Sequence, residues 1–246
     1  MMGVRWTSLA GGAAAAVVGA VAAIAVTHGV SRFGPASTEN DTGAAVRSYL
    51  LAHPEVIPEA MQRLQEKQTA SQVAQNRAVI ETPFAGAVAG NPKGDVTLVE
   101  YFDYACGYCR ASVPDVDKLV ATDPNVRVVF KELPILTPES DRAAQLGLVA
   151  AKAGRFLDYH HKIYAEGALS SAKIDQAARE VGIDPKMAES PDIAHEIETN
   201  LATARALGLS GTPTFVVGDQ VISGAVGYQG LKDAVAKARA AAADKA

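Results

Sequence analysis

Two cysteines separated by two residues constrain this chain more than any other feature of its sequence. Cys106 and Cys109 are the only cysteines in 246 residues, which excludes a disulfide-stapled miniprotein and a four-cysteine zinc site. The pair follows a run rich in β-branched and aromatic residues, 95–104, and a helical pattern begins directly after it. The two thiols are therefore expected where a strand ends and a helix begins.

This spacing and position favour reversible disulfide chemistry. Cysteines at i and i+3 of a first helical turn can close a small disulfide and reopen it, because both sulfurs lie on one side of the turn. The free N–H groups and the dipole of that turn stabilise a thiolate at Cys106, and a thiolate is the species that attacks a disulfide. We expect Cys106 to be the nucleophile and Cys109 to resolve the mixed disulfide. The Cys106–Cys109 disulfide is then the redox group, with no dissociable cofactor.

Other functions of the pair are weaker alternatives. A structural disulfide rarely closes so small a loop, because short loops gain least from a cross-link. A zinc site needs two more ligands, and none of the five histidines has a paired spacing with the cysteines, so no metal is expected. Two soft thiolates would also suit Cu(I), so a Cu(I)-handling protein stays open. A chaperone module that does not use Cys106 stays open as well.

Composition and charge limit the possible partners. The formal net charge is -4 and the pI about 5.7, so the chain has no excess of basic residues to neutralise phosphates. Nucleic acid is therefore not an expected partner. With 48% apolar residues the chain can bury a substantial core.

The N-terminus carries an export signal. Residues 9–26 contain no charge, Arg5 precedes them, and the next charge after them is Arg32. Residues 1–30 are therefore interpreted as a signal peptide, or as a membrane anchor if the signal is not cleaved. In both cases the remaining chain lies in an oxidising, extracytoplasmic compartment such as the periplasm.

A linker and a helical segment follow the signal. Residues 31–43 are polar and rich in turn-forming residues, and Asp41 or Thr42 is the expected N-cap of the first helix. Across residues 44–80 the apolar residues at helical spacing fade after Leu64, which leaves either a docked or solvated helix or an oligomerisation segment. The apolar positions of this segment are Val46, Tyr49, Leu50, Ile57, Met61 and Leu64.

Residues 81–246 are interpreted as one α/β domain. Its expected elements are a short strand and turn at 83–91, strands at 95–104 and 126–133, a helical insertion at about 138–209, strands at 214–217 and 220–223, and a last helix at 230–243. A strand, a helix and a strand make a right-handed parallel unit around the cysteine pair. Gly218-Asp219 is a two-residue hairpin signal between the last two strands.

The motifs EYFDYACGYC, GTPTFVVG and ISGAVGY together resemble the DsbA family of thioredoxin-fold thiol-disulfide oxidoreductases. The resemblance implies a thioredoxin fold with an inserted helical domain, preceded here by the N-terminal helical segment. It also implies that Thr212-Pro213 is a cis peptide facing the cysteines, where the Thr212 backbone can pair with a substrate. Glu100 stands where the family has an acid six residues before the first cysteine. It would relay the proton of Cys109, unless it is instead salt-bridged, for example to Lys131.

The residues between the cysteines bear on the direction of exchange. Gly107 and Tyr108 would modulate the pair, and Tyr108 replaces the histidine of the strong oxidant in this family. The Cys-Gly-Tyr-Cys sequence resembles that of a disulfide isomerase, and a threonine before the proline is more typical of isomerases and reductants than of DsbA itself. The resemblance therefore favours isomerase or general exchange activity slightly over net dithiol oxidation. The implied partners are cysteine-containing exported proteins and a membrane redox protein.

The segment VRSYLLAHPEVIPEAMQRLQEKQ is similar to the N-terminal region of ScsC and Com1-like members of the family. In ScsC proteins such a region can assemble chains into oligomers. The resemblance implies a possible homo-oligomer through residues 44–80.

Overall fold

The structure is a computed structural model that describes residues 36–244. The chain divides into two compact units, one ending at Met61 and the other beginning at Gln62. Between residues 36 and 244 no helix is both long enough and apolar enough to cross a membrane. The predicted signal, residues 1–30, lies outside the described residues.

The described part of the first unit, residues 36–61, is mainly helical. Helix α1 spans Ala36–Ala52, and helix α2, which spans Val56–Ile80, contains the boundary between the units. The predicted linker is therefore wrong from Ala36 onward, and neither Asp41 nor Thr42 caps the helix. Ala36–Ala52 holds no proline, and the one glycine inside it costs about 1 kcal/mol, which a helix of this length tolerates.

A five-stranded mixed sheet forms the centre of the second unit, with strand order β1-β3-β2-β4-β5. Its strands are β1 (Val88–Gly90), β2 (Val96–Phe102), β3 (Val126–Glu132), β4 (Thr214–Val217) and β5 (Gln220–Ser223). The pair β2 and β3 is parallel, and the other pairs are antiparallel. The predicted Gly218-Asp219 hairpin is confirmed, because Val217 pairs with Gln220 and Gly218 has a positive φ of 59°.

Most of the helices lie between β3 and β4. Helix α3 (Gly107–Thr122) connects β2 to β3, and α8 (Gly227–Ala243) follows β5. Between β3 and β4 the chain forms α4 (Pro138–Lys152), α5 (Phe156–Ala165), α6 (Ser171–Glu180), a 3-10 turn (Pro185–Ala188) and α7 (Pro191–Ala206). The start of α4 is fixed by a capping box in which Thr137 and Ser140 bond each other's backbone N–H groups.

The two faces of the sheet meet different helices. Leu98 and Phe102 belong to the core shared with α3 and the inserted helices, whereas Val99 and Tyr101 belong to the core shared with α2. Strand alternation places Glu100 on the first face, and its neighbours across the sheet, Phe130 and Phe215, lie in the same core. Glu100 is therefore buried on the side of the sheet that carries α3.

Lys131 is not the partner of Glu100. Lys131 lies on the opposite face, 2% exposed, and its Nζ is 3.0 Å from Oε1 of Glu196 on α7. The predicted alternative of a Glu100–Lys131 salt bridge is wrong. Glu100 lies opposite Phe130 in the ladder, so the next residue, Lys131, points to the other face of the sheet.

Candidate redox site

The cysteine pair lies at the junction of β2 and α3. Cys106 is the N-cap of α3, and the Cys109 N–H donates to its Sγ at 3.4 Å. Both cysteines are free thiols; Cys106 is 6% exposed and Cys109 is completely buried. Gly107 begins the helix, and Tyr108 is exposed beside the pair. Cys106 is thus the more accessible sulfur, at the positive end of a helix dipole.

The segment before β4 completes the site. The Thr212–Pro213 peptide bond is cis, as predicted. The Cys106 thiol donates to the Thr212 carbonyl oxygen at 3.2 Å, so the two motifs meet in space although 106 residues separate them. The pairing of β4 with β2 brings them together, because Glu100 lies opposite Phe215 in the ladder. An extended peptide laid along Thr212 would pass directly beside the Cys106 sulfur.

Asp103 holds the turn that delivers Cys106. One carboxylate oxygen accepts from Ala105 N at 2.8 Å and from Ser140 Oγ at 2.7 Å. The other accepts from Ile135 N at 2.8 Å and Leu136 N at 3.0 Å. Its backbone oxygen also accepts from Cys106 N at 2.9 Å. A single buried side chain therefore ties the catalytic turn to the loop after β3 and to the start of α4.

Glu100 and Cys109 are a buried acid and a buried thiol close to Cys106. Burial raises the pKa of Glu100 to about 8, with a smaller contribution from the charge of Asp117. Burial also raises the pKa of Cys109 strongly, and a charge on Glu100 raises it further. The charge state of Glu100 therefore affects the pKa of Cys109. A carboxyl group with a pKa of about 8 can hold or release a proton at neutral pH.

Replacing Glu100 with Gln should abolish part of the pH dependence of stability. With a pKa of about 8, Glu100 stays protonated in the folded chain up to about pH 8, whereas in the unfolded chain it ionises near its ordinary pKa of 4.5. The contribution of Glu100 to the stability of the wild type is fully present below pH 4.5 and is lost as the pH rises towards 8. From pH 4.5 to pH 7 the free energy of unfolding should fall by about 3 kcal/mol more in the wild type than in Glu100→Gln, measured by urea unfolding.

The control for this prediction is Glu198→Gln, a neutralisation at an exposed position of α7. It should leave the pH dependence of the unfolding free energy unchanged. Parallel curves for Glu100→Gln and the wild type across this range would contradict the raised pKa of Glu100.

Four exposed apolar side chains surround the site, here called the apolar rim. Tyr108 is 71% exposed, Ile135 46%, Leu136 51% and Val226 38%. The backbone bonds to Asp103 hold Ile135 and Leu136 beside the catalytic turn. Val226 follows the segment that bonds the Pro213 carbonyl oxygen. Together these side chains leave exposed apolar surface near Cys106.

Several residues of the site escape detection from the sequence alone. Asp103, Ile135 and Leu136 take part through contacts about thirty residues apart. Only one local signal was available, an aspartate that caps its own turn just before a helix, as Asp103 does with Ala105. Among residues 36–244 no group of three or more His, Cys, Asp and Glu residues could hold a metal ion.

Comparison with known proteins agrees with this geometry. A family model described as a DSBA-like thioredoxin domain matches residues 97–236, more than half of the chain. The chain belongs to the DsbA-like thioredoxin family. A second model, described as the N-terminal domain of the copper resistance protein ScsC, matches residues 42–70.

Solved structures share this family fold over most of their length. A linker-deletion mutant of Proteus mirabilis ScsC is 28% identical with a TM-score of 0.68, and the match covers 85% of this chain and 98% of that one. A thioredoxin-like oxidoreductase from Silicibacter pomeroyi DSS-3 is 41% identical with a TM-score of 0.60, covering 65% and 95%. The thioredoxin fold with inserted helices and N-terminal helices is thereby confirmed.

Some curated relatives are much longer proteins. The Na(+)/H(+) antiporter NhaA 3 of Salinispora tropica is 31% identical over 163 residues, which are 63% of this chain. The chain spans about a quarter of the length of that relative.

Proposed function

We propose that this chain is an extracytoplasmic thiol-disulfide oxidoreductase that exchanges disulfides with cysteines of exported proteins. The observation that carries the proposal is the position of the Cys106 sulfur, at the N-terminus of α3 and 3.2 Å from the Thr212 carbonyl oxygen. Membership of the DsbA-like family supports it. The redox group is the Cys106–Cys109 pair itself, so no dissociable cofactor takes part.

The proposed reaction begins with attack on a substrate disulfide. The Cys106 thiolate forms a bond to one substrate sulfur, the substrate disulfide breaks, and the other substrate sulfur leaves as a thiolate. A further substrate thiolate can attack the mixed disulfide and release Cys106, which rearranges disulfides without net oxidation. Alternatively, Cys109 attacks Cys106, which oxidises the pair and leaves the substrate with two thiols. The reverse of this path oxidises a substrate dithiol.

Glu100 is proposed to serve the step that uses Cys109. The Cys109 thiol is buried, and burial holds its pKa high, so it needs a nearby base before it can attack. Glu100 lies on the same face of the sheet as α3, and its raised pKa of about 8 suits a carboxyl group that accepts this proton and returns it.

The substrates are proposed to be incompletely folded polypeptides. The apolar rim lies beside Cys106 and suits side chains that a folded substrate would bury. The predicted signal would place the domain outside the cytoplasm. One similar structure is that of a periplasmic thioredoxin-like protein from Salmonella enterica serovar Typhimurium, 31% identical with a TM-score of 0.63. A membrane redox protein would then reset the cysteine pair.

Isomerase or general exchange activity is proposed ahead of net oxidation. Tyr108 stands between the cysteines and carries no positive charge, so it stabilises the Cys106 thiolate less than a histidine would. A less stable thiolate makes the disulfide form of the pair less oxidising. We expect the reduced protein to restore activity to scrambled ribonuclease. If scrambled ribonuclease stays inactive while reduced ribonuclease is oxidised quickly, net oxidation is the correct alternative.

Binding of Cu(I) is the second candidate function. The two reduced thiols are adjacent, and residues 42–70 match a model named for a copper resistance protein. Titration of the reduced protein with Cu(I) tests it. One equivalent bound tightly, lost in Cys106→Ser, together with no turnover of disulfides, would favour this candidate over exchange.

Self-association through residues 44–80 is also proposed. Tyr49, Met61 and Leu64 are all more than half exposed on α1 and α2, and a second copy of the chain would bury them. The mass in solution should exceed that of one chain, and replacement of Met61 and Leu64 with Glu should return it to the mass of one chain. A monomeric wild-type protein would contradict the proposal.

A further inference from the structure

Glu132 is a buried acid that the reaction above does not use. It is the last residue of β3 and 1% exposed, and neither carboxyl oxygen has a hydrogen-bond partner among residues 36–244. The Tyr104 hydroxyl, also buried, has no partner either. Burial raises the pKa of Glu132 well above its usual range, and the charge of Asp103 raises it further. Burial at this position therefore favours the protonated, neutral form of the Glu132 carboxyl group.

Both groups reach the same point on α4. A Cβ atom added to Gly147 would collide with Oε1 of Glu132 and would lie 3.0 Å from the hydroxyl oxygen of Tyr104. The two oxygens are thus close enough for a direct hydrogen bond or a bond through one water molecule. Buried polar groups are almost always satisfied, and a small adjustment of either side chain would let these two satisfy each other. Glycine at position 147 leaves the space in which they meet.

Tyr104 connects this contact to the nucleophile. It stands two residues before Cys106, and its ring contacts Phe102, Tyr159 and Tyr164, with centroids 5.0 to 5.6 Å apart. The Tyr164 hydroxyl donates to the Asp103 backbone oxygen at 3.1 Å, the same oxygen that accepts from Cys106 N. A shift of Tyr104 would therefore move the turn that sets the Cys106 sulfur against the first turn of α3.

We propose that Glu132 is a positioning residue of the redox site: its carboxylic acid bonds Tyr104 in the space left by Gly147 and fixes the turn that presents Cys106. This inference rests on the proposed function. A displaced sulfur would lose its hydrogen bond from Cys109 N, and with it part of the stabilisation of the thiolate.

The test measures alkylation of Cys106 by iodoacetamide from pH 4 to pH 10, in a Cys109→Ala background that leaves one thiol. Glu132→Gln keeps a neutral donor and acceptor, so its rate should stay within about twofold of the parent. Glu132→Leu and Gly147→Ala should each slow alkylation at pH 7 by about fivefold or more, because reactivity depends steeply on placement. Both should also move the midpoint of the pH profile upward.

The matched control is Val128→Ala, a cavity in the same buried face of β3. It should lower thermal stability and leave the midpoint of the alkylation profile unchanged. A Glu132→Leu protein that is only less stable, with the parent's profile, would overturn the inference. So would Glu132→Gln if it were as slow as Glu132→Leu.

Failure of the proposed function would look different. In that case the parent itself would react no faster than an ordinary exposed cysteine and would catalyse no exchange. The ranking of Glu132→Gln against Glu132→Leu is measured in the same experiment and still decides whether Glu132 positions the turn.

Discussion

A Cys106→Ser protein should lose disulfide exchange by at least about 10³-fold, because a serine hydroxyl cannot form the mixed disulfide. The fold should persist: Ser can still cap α3, and the position is almost buried in either case. Turnover of scrambled ribonuclease and of a reduced peptide measures the loss. An unchanged thermal midpoint shows that the loss is chemical rather than structural.

Cys109→Ser is the matched control for this prediction. It keeps the nucleophile and removes the buried sulfur that would resolve the intermediate, so a mixed disulfide with substrate should accumulate. Non-reducing electrophoresis would detect that adduct. If Cys109→Ser were inactive without an adduct while Cys106→Ser retained exchange, the two roles would be reversed.

The largest loss of stability is expected from Asp103→Ala. The change removes a carboxylate that accepts four hydrogen bonds and leaves the donors of Ala105, Ile135, Leu136 and Ser140 unsatisfied. A buried donor without a partner costs about 1–3 kcal/mol, and water entering the site offsets part of that. We expect the free energy of unfolding to fall by about 3–5 kcal/mol, measured by urea denaturation.

The control for Asp103→Ala is Asp233→Ala, which removes an exposed aspartate bonded only to Gln229 in the described chain. It should change the free energy of unfolding by less than about 0.5 kcal/mol. Equal effects of the two replacements would show that Asp103 does not hold the turn. Because Ile135 and Leu136 belong to the apolar rim, Asp103→Ala should also weaken substrate binding at temperatures where the protein stays folded.

The sequence predicted the part of the site that depends on local patterns. The strand and helix around Cys106 and the strands near Pro213 follow from periodicity and turn residues, and all are present. The side of the sheet for Glu100 follows from strand alternation alone, because Leu98 and Phe102 are apolar. The prediction that the cysteine motif and the proline motif lie side by side came from the family resemblance, because no local pattern relates segments 106 residues apart.

The remaining features depend on contacts that a single sequence does not encode visibly. In the sequence Asp103 resembles an ordinary turn residue. Its role in holding the turn depends on hydrogen bonds from the loop after β3 and from the start of α4, which are distant in sequence. Glu132 is a charged residue near the end of a predicted strand, and no local pattern shows that α4 covers it at Gly147. The start of α1 at Ala36 could not be predicted from the sequence. The segment mixes alanine, which favours helices, with serine and asparagine, which are also common in linkers.

The insertion between the two halves of the site bears on the order in which a growing chain becomes active. Ribosomal synthesis completes Cys106 and Cys109 first and reaches Thr212 only 106 residues after Cys106. Until β4 pairs with β2, the Thr212 backbone does not lie beside the Cys106 thiol. A chain that ends anywhere within α4 to α7 would therefore contain both cysteines but would lack the Thr212–Pro213 segment beside which a substrate peptide would bind.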